Sequence, residues 1–270
     1  MPVNDKHGVT IVYIDFSRAF DTVSQKKLID VRLTSYGIGG NLLNWLRNFI
    51  CGRTHQTRIG SAMSSIAKLF SGVIQGSGLG PLLFLTYINE LIEIMESCGV
   101  TIKLFADDAK VYAEINDNRD VEKLQHALDL LVKWAELWQL KIATNKCFTM
   151  NIGKIPSSVL LTGIYYCIEN CILPPVLSCR DLGVIVSSDL SYREHINAIV
   201  QKAHQRANMI LKCFVCKDIK VLVRAYHTYV RPILEYNSVV WSPILKCEID
   251  ALERVQRRFT KRLRGMNLLS

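Results

Sequence analysis

No stretch of this 270-residue chain stays apolar for the roughly 20 residues of a membrane-spanning helix. The opening residues, Met1 to Gly8, are polar and do not form a secretory leader. Internal repeats and low-complexity tracts are missing, which excludes a stacked-repeat architecture. Proline is scarce, at seven residues, and charge is modest at 21% against 49% hydrophobic residues, so the chain is globular rather than disordered. There is no Gly-x-x-x-x-Gly-Lys-Ser/Thr loop and no Gly-x-Gly-x-x-Gly, which removes the two commonest nucleotide-binding signatures. Nine cysteines are an odd number without an export signal, which points to reduced thiols in the nucleus or cytoplasm rather than a disulfide framework or a secreted protein. Cys213 and Cys216 form a lone Cys-x-x-Cys with His204 nearby, but no second ligand pair has zinc spacing, so buried thiols are the favoured reading.

What is present is unevenly spread. The chain holds 33 Lys+Arg and 24 Asp+Glu, of which residues 191–270 carry 15 and 6, so the whole net charge of +9 lies in the last 80 residues. A neutral first part (1–190) and a basic last part (191–270) suggest two regions, the second facing a polyanion or presenting a solvated basic surface.

Carboxylates mark the first part. Val9 to Ile14 is an apolar, β-branched run that reads as a central strand, and it ends on Asp15. A carboxylate at the tip of a buried strand is costly unless it is paired or binds a cation. Val100, Ile102, Leu104 and Ala106 alternate with more polar positions and predict a second strand, and Val111 and Tyr112 a third. Between these last two sit Asp107 and Asp108, whose like charges repel. Either they are a solvated turn or a hard divalent cation such as Mg²⁺ neutralises them. If the strands of Asp15 and Asp107-Asp108 are neighbours, three carboxylates converge at one sheet edge, the clamp used in two-metal phosphoryl transfer.

Around these strands the spacing predicts a helix from Ser24, as cap, to Tyr36. Another is capped by Asn41, with Leu42, Trp45, Leu46 and Phe49 on one face. Residues 54–72 read as a hairpin or pair of loops. Gly72 to Pro81 is a glycine loop leading into a helix of about five turns that ends near Cys98. Val121, Leu124, Leu128, Leu131, Val132 and Ala135 predict a core-facing helix. Ile142 to Ile152 reads as a strand with Lys146 inside it, and residues 158–186 as a small antiparallel sheet ending at Leu182–Val186. The remainder is helical: one helix from Ile196 to Leu211, a second over about 217–230, and a third over about 246–264. The third buries Ile249, Leu252, Val255 and Phe259 and displays Arg254, Arg257, Arg258, Lys261, Arg262 and Arg264.

Three segments, in order, resemble motifs of reverse transcriptases from non-long-terminal-repeat retrotransposons of the jockey-like group. They are Tyr13-Ile14-Asp15-Phe16-Ser17-Arg18-Ala19-Phe20-Asp21, Gly72 to Phe84, and Phe105-Ala106-Asp107-Asp108. The resemblance runs on through Trp134–Cys147, Asp181–Ile196 and Thr228–Arg258. It implies an α+β fold: a right-hand polymerase palm, an antiparallel sheet with packed helices, followed by an α-helical thumb-like region. It implies Asp15, Asp107 and Asp108 as catalytic acids holding Mg²⁺ or Mn²⁺, with a backbone carbonyl from Phe16. Phe20, Gln75, Gly76 and Lys146 become nucleotide-binding residues, Phe20 crowding a 2′-hydroxyl. The basic set Arg254, Arg257, Arg258, Lys261 and Arg262 becomes nucleic-acid-binding. RNA template, DNA primer and dNTP are the implied partners, with no membrane. Two positions depart from the family: Ile74 stands in place of proline, and Gly78 in place of a bulkier residue. Only fourteen residues precede Asp15, so the upstream fingers and endonuclease of such an element are expected to be absent. An RNA-directed DNA polymerase module and a catalytically silent, nucleic-acid-binding remnant of one both remain open. A metal-dependent phosphoesterase on another fold is the third alternative.

Overall fold

The computed structural model describes residues 8–157, 159, 163, 165–215 and 218–263. It forms two compact units, Met1–Val176 and Leu177–Ser270.

The first unit is built on a four-stranded antiparallel sheet. β1 (Gly8–Ile14) lies in its interior between β7 (Asp108–Ile115) and β8 (Phe148–Ile152), with β6 (Thr101–Phe105) outermost beyond β7. The apolar run from Val9 to Ile14 therefore takes the position its composition demands. Val12 and Ile14 are buried, as are Val111 and Ala109 opposite them. Tyr13, on the other face, stacks on Phe148 with ring centroids 4.7 Å apart. Short helices follow β1: α1 (Ala19–Thr22) and α2 (Gln25–Lys27), the latter running into a π-helical turn, Leu28–Leu33. Ser24 stands at the N-cap position but makes no side-chain capping bond. Helix α3 (Gly40–Ile50) starts one residue before Asn41, with Gly39 as its cap. Its buried residues are Leu46 and Ile50, while Leu42 and Trp45 stay exposed, so the face expected from spacing is rotated.

Residues 54–68 form two small strand pairs, β2 (Thr54–His55) with β5 (Ala67–Lys68) and β3 (Arg58–Ile59) with β4 (Ala62–Met63). The helix after the glycine loop is two pieces, α4 (Gly80–Ile88), with Pro81 in its first turn, and α5 (Glu90–Ser97). Helix α6 (Asn118–Trp138) carries a complete capping box between Asp117 and Asp120 and buries Leu124, Leu128, Leu131 and Ala135. Arg32, almost wholly buried, pairs with Glu90 at 2.5 Å, and its guanidinium lies 4.1 Å from the Trp138 ring centre. Burial works against Glu90's charge, but the Arg32 bond and charge prevail and hold its carboxyl below the usual range. Lys146 is not inside a strand: Thr144–Lys146 is a 3₁₀ turn, and β8 begins at Phe148. Beyond it, β9 (Cys167–Ile168) pairs with β10 (Cys171–Ile172). The expected sheet over 158–186 is thus this hairpin and a separate one in the second unit, and residues 158, 160–162 and 164 lie outside the described residues.

The second unit opens with that other hairpin, β11 (Ser178–Asp181) and β12 (Val184–Ser187). Among the described residues five helices follow: α7 (Arg193–Cys213), α8 (Ile219–Tyr229), α9 (Arg231–Glu235), α10 (Ser238–Trp241) and α11 (Lys246–Thr260). Ala203, Ala207 and Ile210 of α7, Leu222 and Tyr226 of α8, and Val255 and Phe259 of α11 share one core. Helix α11 ends at Thr260, and Ile249, expected in the core, is 43% exposed. Arg264 and Cys216 lie outside the described residues, and the eight described cysteines are free thiols. No helix among the described residues is long and apolar enough to cross a membrane.

Candidate functional site

Asp15 is the residue after β1, and Ile14 pairs with Ala109. Extending that register by one residue puts Asp15 opposite Asp108, which opens β7 and pairs with Phe105 of β6. Only Ala106 and Asp107 connect β6 to β7. The first residue of so tight a loop must take a positive φ, and Ala106 does so at 53°. Sequence-distant acids are thus delivered to one end of adjacent strands by hydrogen-bonded backbone.

The chain from 141 to 147 straps this end. The Ser17 N–H donates to the Lys141 carbonyl at 2.8 Å and the Ala143 N–H to the Asp15 carbonyl at 2.8 Å, with Phe16 and Ile142 bridged between them. Those bonds are made by Asp15 and Ser17 rather than by Phe16, whose ring is buried edge-on to Trp134. Lys146 Nζ lies 3.2 Å from Asp15 Oδ1, with the lysine 62% and the aspartate 36% exposed, an ion pair worth at most about 1 kcal/mol in such solvent. Cys147, buried behind it, has its thiol pushed up in pKa, by burial above all.

Carboxylates and main-chain carbonyls are hard oxygen donors, so the set at this edge suits Mg²⁺ or Mn²⁺ in kind. As the side chains stand, however, no three His, Cys, Asp or Glu among the described residues are gathered to hold an ion. Asp107 is half-buried and Asp108 exposed.

The glycine loop is pinned to the helix that follows Asp15. The Gly72 N–H donates to the Val23 carbonyl at 2.8 Å and the Val73 N–H to the Phe20 carbonyl at 2.9 Å. The Ser71 hydroxyl donates to the Asp21 carbonyl at 2.8 Å. Gln75 Nε2 donates to Asp21 Oδ1 at 2.6 Å. Ser77 closes the turn, bonding the Ile74 carbonyl and receiving the Gly80 N–H. Phe20 stacks on buried Phe84 with centroids 4.3 Å apart, so its ring is fixed. Phe20, Gln75, Gly76 and Gly78 line one cavity of about 490 Å³. Gln75 and Gly76 also line a larger groove of about 1060 Å³ that carries Arg53, His55 and Lys68. Asp21, the anchor of the loop, closes the first motif segment, but the sequence does not show what it binds. Its partner lies 54 residues away, and nothing in local spacing marks the pair.

In the second unit, Arg254, Arg257, Arg258, Lys261 and Arg262 are all exposed, the first three on α11 and the last two just past its end. Arg262 Nη1 donates to Asn208 Oδ1 at 2.8 Å. Burial and the charges of Arg258, Arg254 and Arg262 lower the pKa of His204 on α7, so these three arginines crowd one stripe. They lie far beyond the acids in sequence and belong to the other unit.

The model of the reverse transcriptase (RNA-dependent DNA polymerase) family matches residues 3–212. The chain is 25% identical to a probable RNA-directed DNA polymerase from transposon BS of Drosophila melanogaster, over 94% of this chain and 29% of that protein. It is 24% identical to the RNA-directed DNA polymerase from mobile element jockey of Drosophila funebris, over 94% of this chain and 28% of that one. It therefore spans less than a third of the length of these curated relatives. A telomerase from Candida albicans, solved in complex with the TWJ fragment of telomeric RNA, shares the fold. Its TM-score is 0.51 at 10% identity, covering 97% of this chain and 50% of that one.

Proposed function

This chain belongs to the reverse transcriptase (RNA-dependent DNA polymerase) family, and from that premise we propose that its first unit is the palm of a non-long-terminal-repeat retrotransposon polymerase, extending a DNA primer on an RNA template. The observation that carries this reading is the meeting of β1 and β7, which sets Asp15 beside the Ala106-Asp107 turn and Asp108. Family membership leaves no room for the phosphoesterase alternative.

Each residue then has a task set by its position. Asp15, Asp107 and Asp108, with the Phe16 carbonyl, are the donors for divalent cations. Two such ions would supply charge neutralisation and a more acidic primer 3′-hydroxyl in an in-line displacement of pyrophosphate. Gathering the carboxylates requires their side chains to turn inward and Lys146 to leave Asp15. Once released, the Lys146 ammonium is free to meet the triphosphate. Phe20, immobilised on Phe84, forms the wall for the deoxyribose, and a 2′-hydroxyl collides with it. Asp21 holds Gln75, and with it the loop that borders the nucleotide. Arg53 and Lys68 give the larger groove the positive charge a template strand needs. The second unit is thumb-like: its helices present the five basic side chains to phosphates of the primer–template duplex.

A second reading, a nucleic-acid-binding module without catalysis, is favoured by one observation: the acids are not gathered as they stand. Primer extension on an RNA template with dNTPs and Mg²⁺, alongside Mn²⁺ binding followed by electron paramagnetic resonance, separates the two. A polymerase incorporates dNTPs, loses at least about a hundredfold in rate in Asp15→Asn and Asp107→Asn as transition-state charge loses its partner, and loses Mn²⁺ affinity in the same variants. Nucleic-acid binding with neither extension nor Mn²⁺ binding leaves the silent module.

A further inference from the structure

The second unit contains a cavity that the polymerase reading does not use. It has a volume of about 460 Å³ and lies between the β11–β12 hairpin and helices α7 and α9. Arg180 from β11 and Lys202 from α7 stand exposed on its rim, Gly183 and Tyr236 close one wall, and His195 of α7 lines its floor. Among the described residues, no acidic side chain lines it.

His195 is almost wholly buried, since only 3% of its surface is exposed. The Ile185 N–H donates to its Nδ1 at 3.2 Å. A backbone N–H can only donate, so Nδ1 is the unprotonated nitrogen and the neutral ring carries its hydrogen on Nε2. Burial, and then the Arg180 charge, lower the His195 pKa, so the ring is neutral at pH 7 and this tautomer holds. Nε2 is buried and, among the described residues, has no hydrogen-bond partner, although the Trp241 ring packs edge-on against the imidazole at 5.1 Å. A buried N–H donor without an acceptor is costly and calls for an explanation. Here the ring that bears the unpaired donor lines a cavity rimmed by two cations.

We propose that this cavity binds a phosphate oxyanion, specifically a backbone phosphate of a nucleic-acid strand, between the Arg180 guanidinium, the Lys202 ammonium and the imidazole Nε2–H. Two exposed cations supply the attraction, and the buried donor supplies the fixed direction once the entering phosphate uncovers it, since Arg and Lys side chains alone would hold a phosphate loosely. The donor set argues for an anion site by itself. The choice of a nucleic-acid strand rests on the polymerase reading. A strand seated here would be held well away in sequence from the basic residues of α11, giving the unit a second phosphate contact besides that helix.

The test uses the whole chain labelled with ¹⁵N-histidine, titrated separately with a primer–template duplex and with inorganic phosphate. Long-range ¹H–¹⁵N correlation spectra read the His195 tautomer. The expected result is an Nε2–H tautomer in the free protein, a shift of that nitrogen with either ligand, and a rise of about one unit in the imidazole pKa with duplex bound. The surface variant Arg180→Gln/Lys202→Gln, which leaves the buried ring in place, should bind duplex about tenfold more weakly. Its plot of log affinity against log salt should be shallower by roughly 0.9 for each phosphate that the variant no longer neutralises. If duplex binds with an unchanged salt slope in the variant and His195 does not respond, the cavity is not a phosphate site, though the polymerase reading stands. A response to inorganic phosphate alone, with duplex bound elsewhere, overturns the strand assignment. If no duplex binds at all, the proposal falls together with the thumb-like role of the unit.

Discussion

Replacing Gly72 by alanine strikes the contact that locks the glycine loop to the segment after Asp15. Two costs can be worked out separately. Gly72 has a φ of 87°, in the region that L side chains avoid at about 1–2 kcal/mol. In addition, a Cβ there would sit 2.8 Å from the Asp21 carbonyl oxygen and 3.0 Å from both Asp21 Cα and the Phe20 oxygen. Those are backbone atoms that cannot rotate away, and forced overpacking of this kind costs about 1–3 kcal/mol. Gly76 provides the control. Its φ is 78°, but a Cβ there meets nothing within 4 Å. Both substitutions reduce unfolded-state entropy equally, by about 0.4–1 kcal/mol, so that contribution cancels in the comparison. Gly72→Ala should therefore be less stable than Gly76→Ala by about 1–3 kcal/mol in urea unfolding at constant m-value. It should also speed hydrogen exchange at the Gly72 and Val73 amides, whose bonds to Val23 and Phe20 would be broken. If Gly72→Ala unfolds at the same urea concentration as Gly76→Ala, the close approach is not a constraint, and the anchoring of the loop through Asp21 loses its support.

Four further outcomes are expected. Ala106→Gly should raise stability by about 1 kcal/mol in the same unfolding assay, because glycine relieves the φ of 53°, while Mn²⁺ affinity weakens as the Asp107 backbone loosens. Lys146→Met removes the ammonium from Asp15 and should tighten Mn²⁺ binding about two- to fivefold, the worth of an exposed ion pair, measured by electron paramagnetic resonance titration. Neutralising Arg257, Arg258, Lys261 and Arg262 together should lower duplex affinity and flatten its salt dependence, and an unchanged slope would make those charges mere solvated surface. Tyr87, buried and hydrogen-bonded to Ser24 and Trp138, has its pKa pushed up to about 12. Folding holds its proton more tightly than the unfolded chain does, so its contribution is whole below pH 10 and is lost as pH rises from 10 toward 12, and Tyr87→Phe should show a shallower alkaline loss of stability.

Periodic segments of the sequence predicted their structure well. β6, β7 and α6 each bury a regular subset of positions, which alternation or a three-to-four spacing reports directly, and β1 is the continuous apolar run of a strand covered on both faces. The placement of Asp15 and Asp108 followed, because they stand at the ends of such strands. Failures came where a local rule competed with something it cannot register. Gly40 takes a φ of 57° and lets α3 begin ahead of Asn41, so the polar residue was not needed as a cap. The polar trio Thr144-Asn145-Lys146 breaks the apolar pattern of 142–152 because the strap along Asp15 must turn before it can join the sheet as β8. The Gln75–Asp21 bond and the unpartnered Nε2 of His195 are features of long-range packing, which no window of sequence displays.

The strand order β6-β7-β1-β8 has a consequence for synthesis on the ribosome. β1, which Asp15 follows, leaves the ribosome well before both its neighbours, which are encoded far downstream. At about 5–20 residues per second, the roughly one hundred residues separating β1 from β7 keep it waiting about 5–20 s for its first partner. Its second partner, β8, comes later still. During that interval Val9-Thr10-Ile11-Val12-Tyr13-Ile14 is an unpaired, uncharged, β-branched edge, the sort of segment that pairs with its counterpart on another nascent chain. Yield of soluble protein should thus depend on how many copies are translated side by side, and slower initiation should help more than slower elongation.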